Sequence, residues 1–236
     1  RRQLLLASSA GMLAGGLSAC GGGSSGEATV ADGMQQALSD RRTTITPTLP
    51  AAPAGAGKVL VLGGGMAGTS VAKYLRLWGN LDVTLVDRNS AYTSNILSSL
   101  VLTGQRSLSS LQYKYDTLRT RYGVKTVFDE VVEIDPVGVK VRLRSGTVLS
   151  ADRIVLAPGI AFDPVPGLDD PNLMPHAWRA GPPTTLLAQQ LAAMPAGGVV
   201  VMTIPKTPYR CPPGPYERAC LIADWLKQRK PGSKLI

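Results

Sequence analysis

A strand, a glycine-rich turn, a helix and a second strand follow one another from residue 58, and this order constrains the fold most. The run KVLVL at 58–62 is short, continuous and apolar, as is typical of a strand buried on both faces of a parallel sheet. The motif GGGMAG at 63–68 follows at once, and residues 69–78 then carry apolar side chains at helical spacing. A second strand over 83–86 ends in Asp87, nineteen residues after the last glycine. Together these parts predict a dinucleotide-binding α/β unit.

The glycine motif predicts a site for a diphosphate, because each glycine allows something that a side chain would prevent. Gly63 permits the tight turn, Gly65 lets the backbone approach a pyrophosphate, and Gly68 allows the helix to pack closely on the strand. The N-terminus of the helix offers free N–H groups to the anion. Asp87 is predicted to accept hydrogen bonds from the hydroxyls of a ribose.

The segments after this unit favour FAD over NAD. Residues 127–135, 138–144 and 147–151 predict a short antiparallel meander. The strand predicted over 153–156 then runs into the small-residue turn APG at 157–159. This order resembles the FAD domain of glutathione-reductase-like flavoproteins, whose second glycine turn occupies the same place. The resemblance implies that the cofactor is FAD.

Two unusual strings narrow the family further. PHAWRAG at 175–181 and YRCPPGPYERA at 209–219 are similar to segments of the flavin subunit of flavocytochrome c sulfide dehydrogenase, and the likeness covers residues 58–236. It implies an α/β fold: a glutathione-reductase-like FAD-binding Rossmann domain over 57–167, then the beginning of a second, NADH-domain-like α/β domain over 168–236. We therefore expect a C-terminally truncated chain that is inactive by itself.

The motif and the resemblance together assign a set of residues to the flavin nucleotide. They are Gly63, Gly65, Met66, Ala67, Gly68, Asp87, Arg88, Asn95, Val131, Ala157, Pro158 and Gly159. Asn95 stands where the family often bonds FAD covalently through a cysteine. No cysteine occurs between residues 21 and 210, so FAD is predicted to bind noncovalently.

The second domain lacks the motif of a nicotinamide site. A helix is predicted over 184–194 and a strand over 198–202, and NADH-using relatives would carry a second glycine motif after that strand. Here the chain continues as IPKTPYRCPP at 204–213, where prolines stiffen the loop and remove N–H donors. We expect electrons to enter from a substrate and to leave to another protein or a quinone.

The three cysteines are too few and too widely spaced for a disulfide scaffold or a zinc site, and no metal is predicted. The resemblance implies that Cys211 is the redox cysteine near the flavin, paired with a second cysteine much later in the chain. Sulfide would attack that disulfide, and two electrons would pass to the flavin. A buried structural cysteine is the alternative for Cys211. Cys220, on a helix predicted over 216–229, is predicted to be packed as a small hydrophobe.

The first 56 residues are predicted to be an export signal followed by a disordered linker. Paired arginines at 1–2 and the apolar run after them look like a twin-arginine export signal. LSAC at 17–20 is similar to the bacterial lipoprotein box, so Cys20 is predicted to be acylated at the end of a signal over 1–20; an ordinary signal beside a chance cysteine is the alternative. Residues 21–56 are predicted to be a disordered linker. We expect an exported protein anchored on the periplasmic side of the membrane.

The net charge of +9 does not indicate a nucleic-acid partner, because no cluster of lysine and arginine interleaves with aromatic residues. A basic face remains able to steer an acidic protein partner.

Three functional hypotheses remain open. The leading one is an FAD-dependent oxidoreductase that oxidises sulfide or a related reduced sulfur compound and passes electrons to a c-type cytochrome subunit. The second is a sulfide:quinone reductase-like enzyme, with its lipid anchor beside the quinone pool. The third is a noncatalytic flavin-binding lipoprotein or electron-relay partner.

Two residues of the segment 175–181 also have two open interpretations each. His176 is either a proton shuttle or a packed residue, and Trp178 lies either near the isoalloxazine or at the domain junction.

Overall fold

The structure, a computed structural model, describes most of the chain after its N-terminal segment. The described residues are 48–204, 206–209 and 211–236. Contacts divide the chain into two units, Arg1–Thr46 and Pro47–Ile236, and every described residue belongs to the second unit. The predicted signal, Cys20 and most of the predicted linker therefore lie outside the described residues.

Strands and helices are interspersed along the described chain. The strands are β1 (Lys58–Leu62), β2 (Asp82–Asp87), β3 (Ala91–Thr93), β4 (Gln112–Lys114), β5 (Lys125–Phe128), β6 (Val131–Asp135), β7 (Lys140–Leu143), β8 (Val148–Ser150), β9 (Arg153–Leu156), β10 (Val199–Val200) and β11 (Lys234–Leu235). The helices are α1 (Met66–Gly79), α2 (Ser99–Leu102), α3 (Asp116–Tyr122), α4 (Pro182–Ala193) and α5 (Gly214–Arg229). A short 3-10 helix spans Leu108–Leu111.

Four parallel strands form the central sheet in the order β5–β2–β1–β9. Alternate residues of β1 face opposite sides, as the two-residue period of a strand requires. Val59 and Val61 belong to the core that contains Ala72 of α1, whereas Leu60 and Leu62 belong to the core that contains strand β7. Burial on both faces explains why the sequence of β1 is an unbroken apolar run.

The meander is a three-stranded antiparallel sheet, β6–β7–β8, against the second core. The prediction of one meander strand over 127–135 is wrong, because β5 extends the central sheet parallel to β2 and only β6 belongs to the meander. Between them the amide of Asp129 donates to the carbonyl of Asp87 (2.9 Å), and Glu130 accepts from the amide of Arg144 (2.8 Å). Both halves are extended, so periodicity could not show that the chain changes sheets there.

Helix α1 begins three residues earlier than predicted and ends before Asn80, which is left-handed (φ 49°). Ala72 and Arg76 are buried in it. Trp78, predicted on its apolar face, is 78% exposed, and its ring centroid lies 4.3 Å from that of Tyr74. Six residues after Ala72, Trp78 has rotated about 240° around the helix axis. The apolar position predicted at Trp78 therefore faces solvent and not the core.

The C-terminal part of the described chain is a second α/β arrangement. The parallel strands β10 and β11 are joined by α5, and both strands are shorter than typical strands. Leu191 of α4, with Ile222 and Leu226 of α5, forms a core that also includes Leu102 of α2. The predicted α/β class is confirmed. Across the residues that the structure describes, no helix combines the length and the apolar character that crossing a membrane requires.

Candidate cofactor and thiol site

The two predicted glycine turns lie side by side at the ends of β1 and β9. Gly63 has a φ of +105°, a left-handed conformation that favours glycine. A Cβ on Gly63 would overlap the carbonyl of Ala157, and one on Gly68 would overlap the carbonyl of Gly63. The amide of Ala157 donates to the carbonyl of Leu62 at 2.8 Å. The backbone is thus so closely packed here that both positions require glycine.

The N-terminus of α1 is open to an anion. Its N-cap, Gly65, makes no side-chain capping bond, and no acidic residue stands in the first turn. Met66 and Ala67 are exposed. A Cβ on Gly65 would meet nothing nearer than the Tyr92 ring at 3.9 Å, so there is room for a ligand against the backbone. The free amides and the helix dipole both favour negative charge at this place, which fits a diphosphate.

Asp87 ends β2 beside the glycine turn. One carboxylate oxygen accepts from the amide of Gly64 at 2.6 Å, and the other accepts from the amide of Asn89 at 2.7 Å. Each oxygen has a further lone pair with which a ribose hydroxyl can bond. The carboxylate is therefore oriented by the turn itself. Arg88, the next residue, is exposed.

Tyr115 supports the glycine turn through a hydrogen bond to Gly64, a role that the sequence does not predict. Its hydroxyl donates to the carbonyl of Gly64 at 3.1 Å, and a Cβ on Gly64 would overlap the phenol. The side chain is only 3% exposed. Burial, and then the charge of Asp87 and the neighbouring Tyr92, hold the pKa of Tyr115 well above its ordinary value. No local pattern marks this residue, because its partner lies fifty-one positions away.

A cavity of about 400 Å³ opens between the start of α1 and the loop after β3. Its walls include Met66, Thr69, Tyr92, Ile96 and Tyr115. The volume lies in the range of ligand pockets, and the lining is largely apolar and aromatic, as in such pockets. The cavity adjoins the glycine turn, because Met66 belongs both to the motif at 63–68 and to the cavity wall.

The remaining predicted flavin residues occupy different surroundings. Val131 begins β6 and packs against the core of Leu60 and Leu62. Pro158 and Gly159 are exposed beyond β9. The structure brings the turn residues, Asp87 and Ala157 together, whereas Val131 lies on the meander side of the sheet.

Asn95 connects the loop after β3 to the segment 175–181. Its side-chain oxygen accepts from the amide of Ala180 at 2.5 Å, a contact between residues eighty-five positions apart. This position is the one at which the resemblance would place a flavin-bonded cysteine. In this structure the Asn95 side chain therefore joins the loop after β3 to the segment 175–181.

Cys211 precedes α5 and is exposed. It is left-handed (φ 60°), and its carbonyl accepts from the amide of Gly214 at 2.9 Å. A Cβ placed on Gly214 would lie 3.1 Å from the Cys211 sulfur and 3.2 Å from the Trp178 ring, so the thiol and the indole flank the same point. Among the described residues, no hydrogen bond joins Cys211 to the glycine turn.

Cys220 is exposed on α5, so the prediction that it is packed as a small hydrophobe is wrong. Its neighbour Ile222 is 3% exposed and fills the core instead. The two residues differ because they lie about 200° apart around the helix, and only one can face the core. Cys220 therefore offers an exposed thiol within α5, whereas Cys211 precedes that helix.

His176 accepts a hydrogen bond from the amide of Trp178 through Nδ1 (3.1 Å), and its ring centroid lies 4.3 Å from that of Phe162. Burial, followed by the charges of Arg218 and Arg179, lowers the pKa of His176. These contacts favour the neutral imidazole. In the part of the chain that the structure describes, no three of the His, Cys, Asp and Glu side chains group as metal ligands would.

Two family models match the chain without a gap between them. Residues 57–183 match the pyridine nucleotide-disulphide oxidoreductase family. Residues 184–236 match the central region of the sulfide dehydrogenase [flavocytochrome c] flavoprotein chain.

Solved structures share the fold. The sulfide:quinone oxidoreductase of Aquifex aeolicus superposes with a TM-score of 0.61 at 24% identity, covering 75% of this chain and 41% of that one. A ferredoxin reductase of Rhodopseudomonas palustris superposes with a TM-score of 0.56 at 23% identity, covering 76% of this chain and 42% of that one. The chain thus spans about two fifths of the length of each. From the family models and this fold, the chain belongs to the pyridine nucleotide-disulphide oxidoreductase family of FAD-dependent enzymes and carries the central region of the sulfide dehydrogenase flavoprotein chains.

Proposed function

We propose that this protein oxidises sulfide or a related reduced sulfur compound at Cys211 and delivers two electrons to a bound FAD. The observation that carries the proposal is the combination of an open, anion-favouring turn at Gly65 and an exposed thiol beside Trp178. The match of residues 184–236 to the sulfide dehydrogenase flavoprotein chain supports sulfur chemistry in particular.

The residues around the glycine turn fit FAD, which when bound supplies a two-electron acceptor. The amides of Met66 and Ala67 would hold the diphosphate, and Asp87, already oriented by Gly64, would hold a ribose. Arg88, Asn95, Val131 and the turn 157–159 complete the proposed set. We propose noncovalent binding, because Asn95 offers no thiol for a thioether.

Cys211 would take up the sulfur. In the oxidised state that the family implies, Cys211 forms a disulfide with a second cysteine that lies much later in the chain than Cys220. Hydrosulfide attacks this disulfide: the S–S bond breaks, a new S–S bond forms to the substrate, and the products are a persulfide and a thiolate. The substrate sulfur thereby loses two electrons and the cysteine pair gains them. A second hydrosulfide would displace the persulfide sulfur as disulfane (HSSH, or its anion) and leave two thiolates, which would re-form their disulfide as the two electrons pass to the proposed flavin.

The electron acceptor and the location belong to the same proposal. A c-type cytochrome subunit is the proposed acceptor, in keeping with the name of the matched flavoprotein chain. Export through the paired arginines at 1–2 and acylation of Cys20 would place the protein on the periplasmic side of the membrane. An anchored enzyme would also lie beside the quinone pool, which favours a sulfide:quinone reductase as the second candidate.

The test uses the protein made from the complete coding sequence and its flavin spectrum. We expect a bound flavin that acid precipitation releases into solution and that sulfide bleaches. Cys211→Ser should abolish the bleaching and keep the flavin, whereas the control Cys220→Ser should bleach like the wild type, because that thiol lies within α5 and has no part in the proposed chemistry.

Other outcomes decide between the alternatives. Cytochrome c reduction by the sulfide-treated protein supports the leading function, and reduction of a quinone analogue alone supports the second. A bound flavin that sulfide leaves oxidised would overturn both and indicate a noncatalytic flavoprotein.

A further inference from the structure

Arg218, on α5, holds three consecutive residues of the segment 175–181. Its Nη1 donates to the carbonyl of His176 at 2.6 Å, and its Nη2 donates to the carbonyl of Ala177 at 3.2 Å. The guanidinium carbon lies 4.0 Å from the centre of the Trp178 ring, a stacked cation–π contact. A single side chain therefore fixes this segment to the helix that Cys211 precedes.

Burying the charge of Arg218 lowers the stability of the fold, which indicates that this residue has a role other than stability. The side chain is 4% exposed, and burial lowers its pKa to about 10, so it keeps its charge at neutral pH. None of the ion pairs among the described residues includes it, and within that part of the chain its Nε has no hydrogen-bond partner. A buried unpaired charge destabilises a fold, and an apolar residue would fill the space at lower cost.

Two residues on either side of this contact, one in the segment 175–181 and one just before α5, have a backbone conformation that non-glycine residues rarely adopt. Ala177 (φ 50°) and Cys211 (φ 60°) are both left-handed, although neither is glycine. Such residues persist where their surroundings over-determine them, and they often mark functional sites. Arg218 binds the carbonyl of Ala177 directly and contacts the Trp178 ring, and both that ring and the sulfur of Cys211 lie beside Gly214.

The segment 175–181 also contacts the part of the protein that contains the glycine turn. Its residue Ala180 donates to Asn95, in the loop beside the cavity at the glycine turn. In the opposite direction, Arg218 ties the segment to α5. Contacts thus run without interruption from the loop near the proposed FAD site to the helix that begins after Cys211.

We propose that Arg218 is a positioning residue: it clamps the segment 175–181 to α5 and so keeps the Cys211 thiol in place relative to the proposed flavin site. The consequence for sulfide oxidation rests on the proposed function, whereas the clamp itself does not. Lysine cannot replace it, because one ammonium group cannot bridge both carbonyls and stack on an indole at once.

Hydrogen–deuterium exchange tests the clamp without sulfide chemistry. In the FAD-loaded protein from the complete coding sequence, Arg218→Met should raise amide exchange at least tenfold in peptides covering 176–180 and 211–217. Arg218→Lys should raise it in the same peptides by a smaller factor. Unchanged local exchange in either folded variant would overturn the proposal, whatever the flavin does.

Two controls separate positioning from general loss of stability. Arg229→Met removes an exposed positive charge from the same helix and should leave exchange in both peptides unchanged. Leu226→Ala removes a core side chain of α5 and should lower the melting temperature without a selective increase at 176–180. A selective increase in Leu226→Ala would show that the local response reports stability only, and would count against the clamp.

Stopped-flow reduction of the flavin by sulfide provides the functional measurement. The limiting rate should fall at least tenfold in Arg218→Met, while the half-saturating sulfide concentration and the FAD content stay at wild-type values. A wild-type limiting rate in this variant would contradict positioning. If sulfide fails to reduce the wild-type flavin, the proposed function fails, and the exchange data still decide the clamp.

Discussion

The phenol of Tyr115 shows what a single residue contributes to the cofactor site. Its hydroxyl donates to the carbonyl of Gly64, whose amide in turn donates to Asp87. The two bonds hold Gly64 from both sides and so set the position of the proposed ribose carboxylate. No motif predicts this support, because side chains far apart in sequence are brought together only by the packing of α3 against α1.

The raised pKa of Tyr115 gives a prediction about stability and pH. The unfolded phenol titrates near its ordinary value of 10.0, whereas the folded one keeps its proton to higher pH because of burial and the charge of Asp87. Its stabilisation is therefore complete below pH 10 and is lost as the pH rises above it. Near pH 8, Tyr115→Phe should lower the free energy of unfolding by about 1 kcal/mol, because the carbonyl of Gly64 loses its donor.

Urea denaturation of both proteins between pH 8 and 11 measures this difference. The advantage of the wild type should shrink to zero between about pH 10 and 11, since each pH unit can change stability by up to about 1.4 kcal/mol per proton. Tyr113→Phe, which removes an exposed hydroxyl on β4, is the matched control and should behave like the wild type. A constant difference across the range would contradict a buried, protonated phenol.

At the scale of elements, local signals predicted the parts of the site that lie close together in sequence. The unit from β1 to β2 carries its own strand period, glycines and terminal acid, and the structure places it accordingly. Predictions that depended on distant partners were weaker. The strand over 127–135 divides between two sheets, and Trp78 turns to solvent, because these outcomes depend on which neighbours each element meets.

The junction of β1 and α1 gives a prediction that separates folding from cofactor binding. Gly65→Ala places a methyl group where nothing lies nearer than 3.9 Å, at an ordinary φ of −72°, so it should cost less than about 1 kcal/mol of stability. The same methyl occupies the space of the proposed diphosphate, and the Kd for FAD should rise at least tenfold, or about 1.4 kcal/mol.

Gly68→Ala is the contrasting variant at this junction. Its methyl would overlap the carbonyl of Gly63, so the turn must shift, and we expect a loss of about 1–3 kcal/mol in stability together with FAD binding. Thermal melts without FAD and fluorescence titrations with FAD measure the two effects separately. Wild-type FAD affinity in Gly65→Ala would remove the diphosphate from this turn.

At the scale of the whole molecule, a series of contacts links the loop beside the glycine turn to the helix α5, which Cys211 precedes. Asn95 meets Ala180, and Arg218 meets His176 and Ala177 within the same short segment. The string PHAWRAG resembles a family segment in the sequence, but its physical role appears only in three dimensions. The roles proposed for Cys211 and for the flavin therefore depend on the geometry of a segment that contains neither.

Membrane attachment is the last whole-molecule property that the proposal predicts. Acylation of Cys20 would give several chains, each stabilising the membrane-bound state by about 0.8 kcal/mol per buried CH₂ group, which is enough for stable anchoring. The protein expressed from the complete coding sequence should therefore sediment with membranes. Cys20→Ala should move it to the soluble exported fraction, whereas Cys211→Ala, a matched loss of one thiol, should stay with the membranes. Membrane association that survives Cys20→Ala would reject the lipid anchor and point to attachment through another surface, as a quinone-reducing enzyme would need.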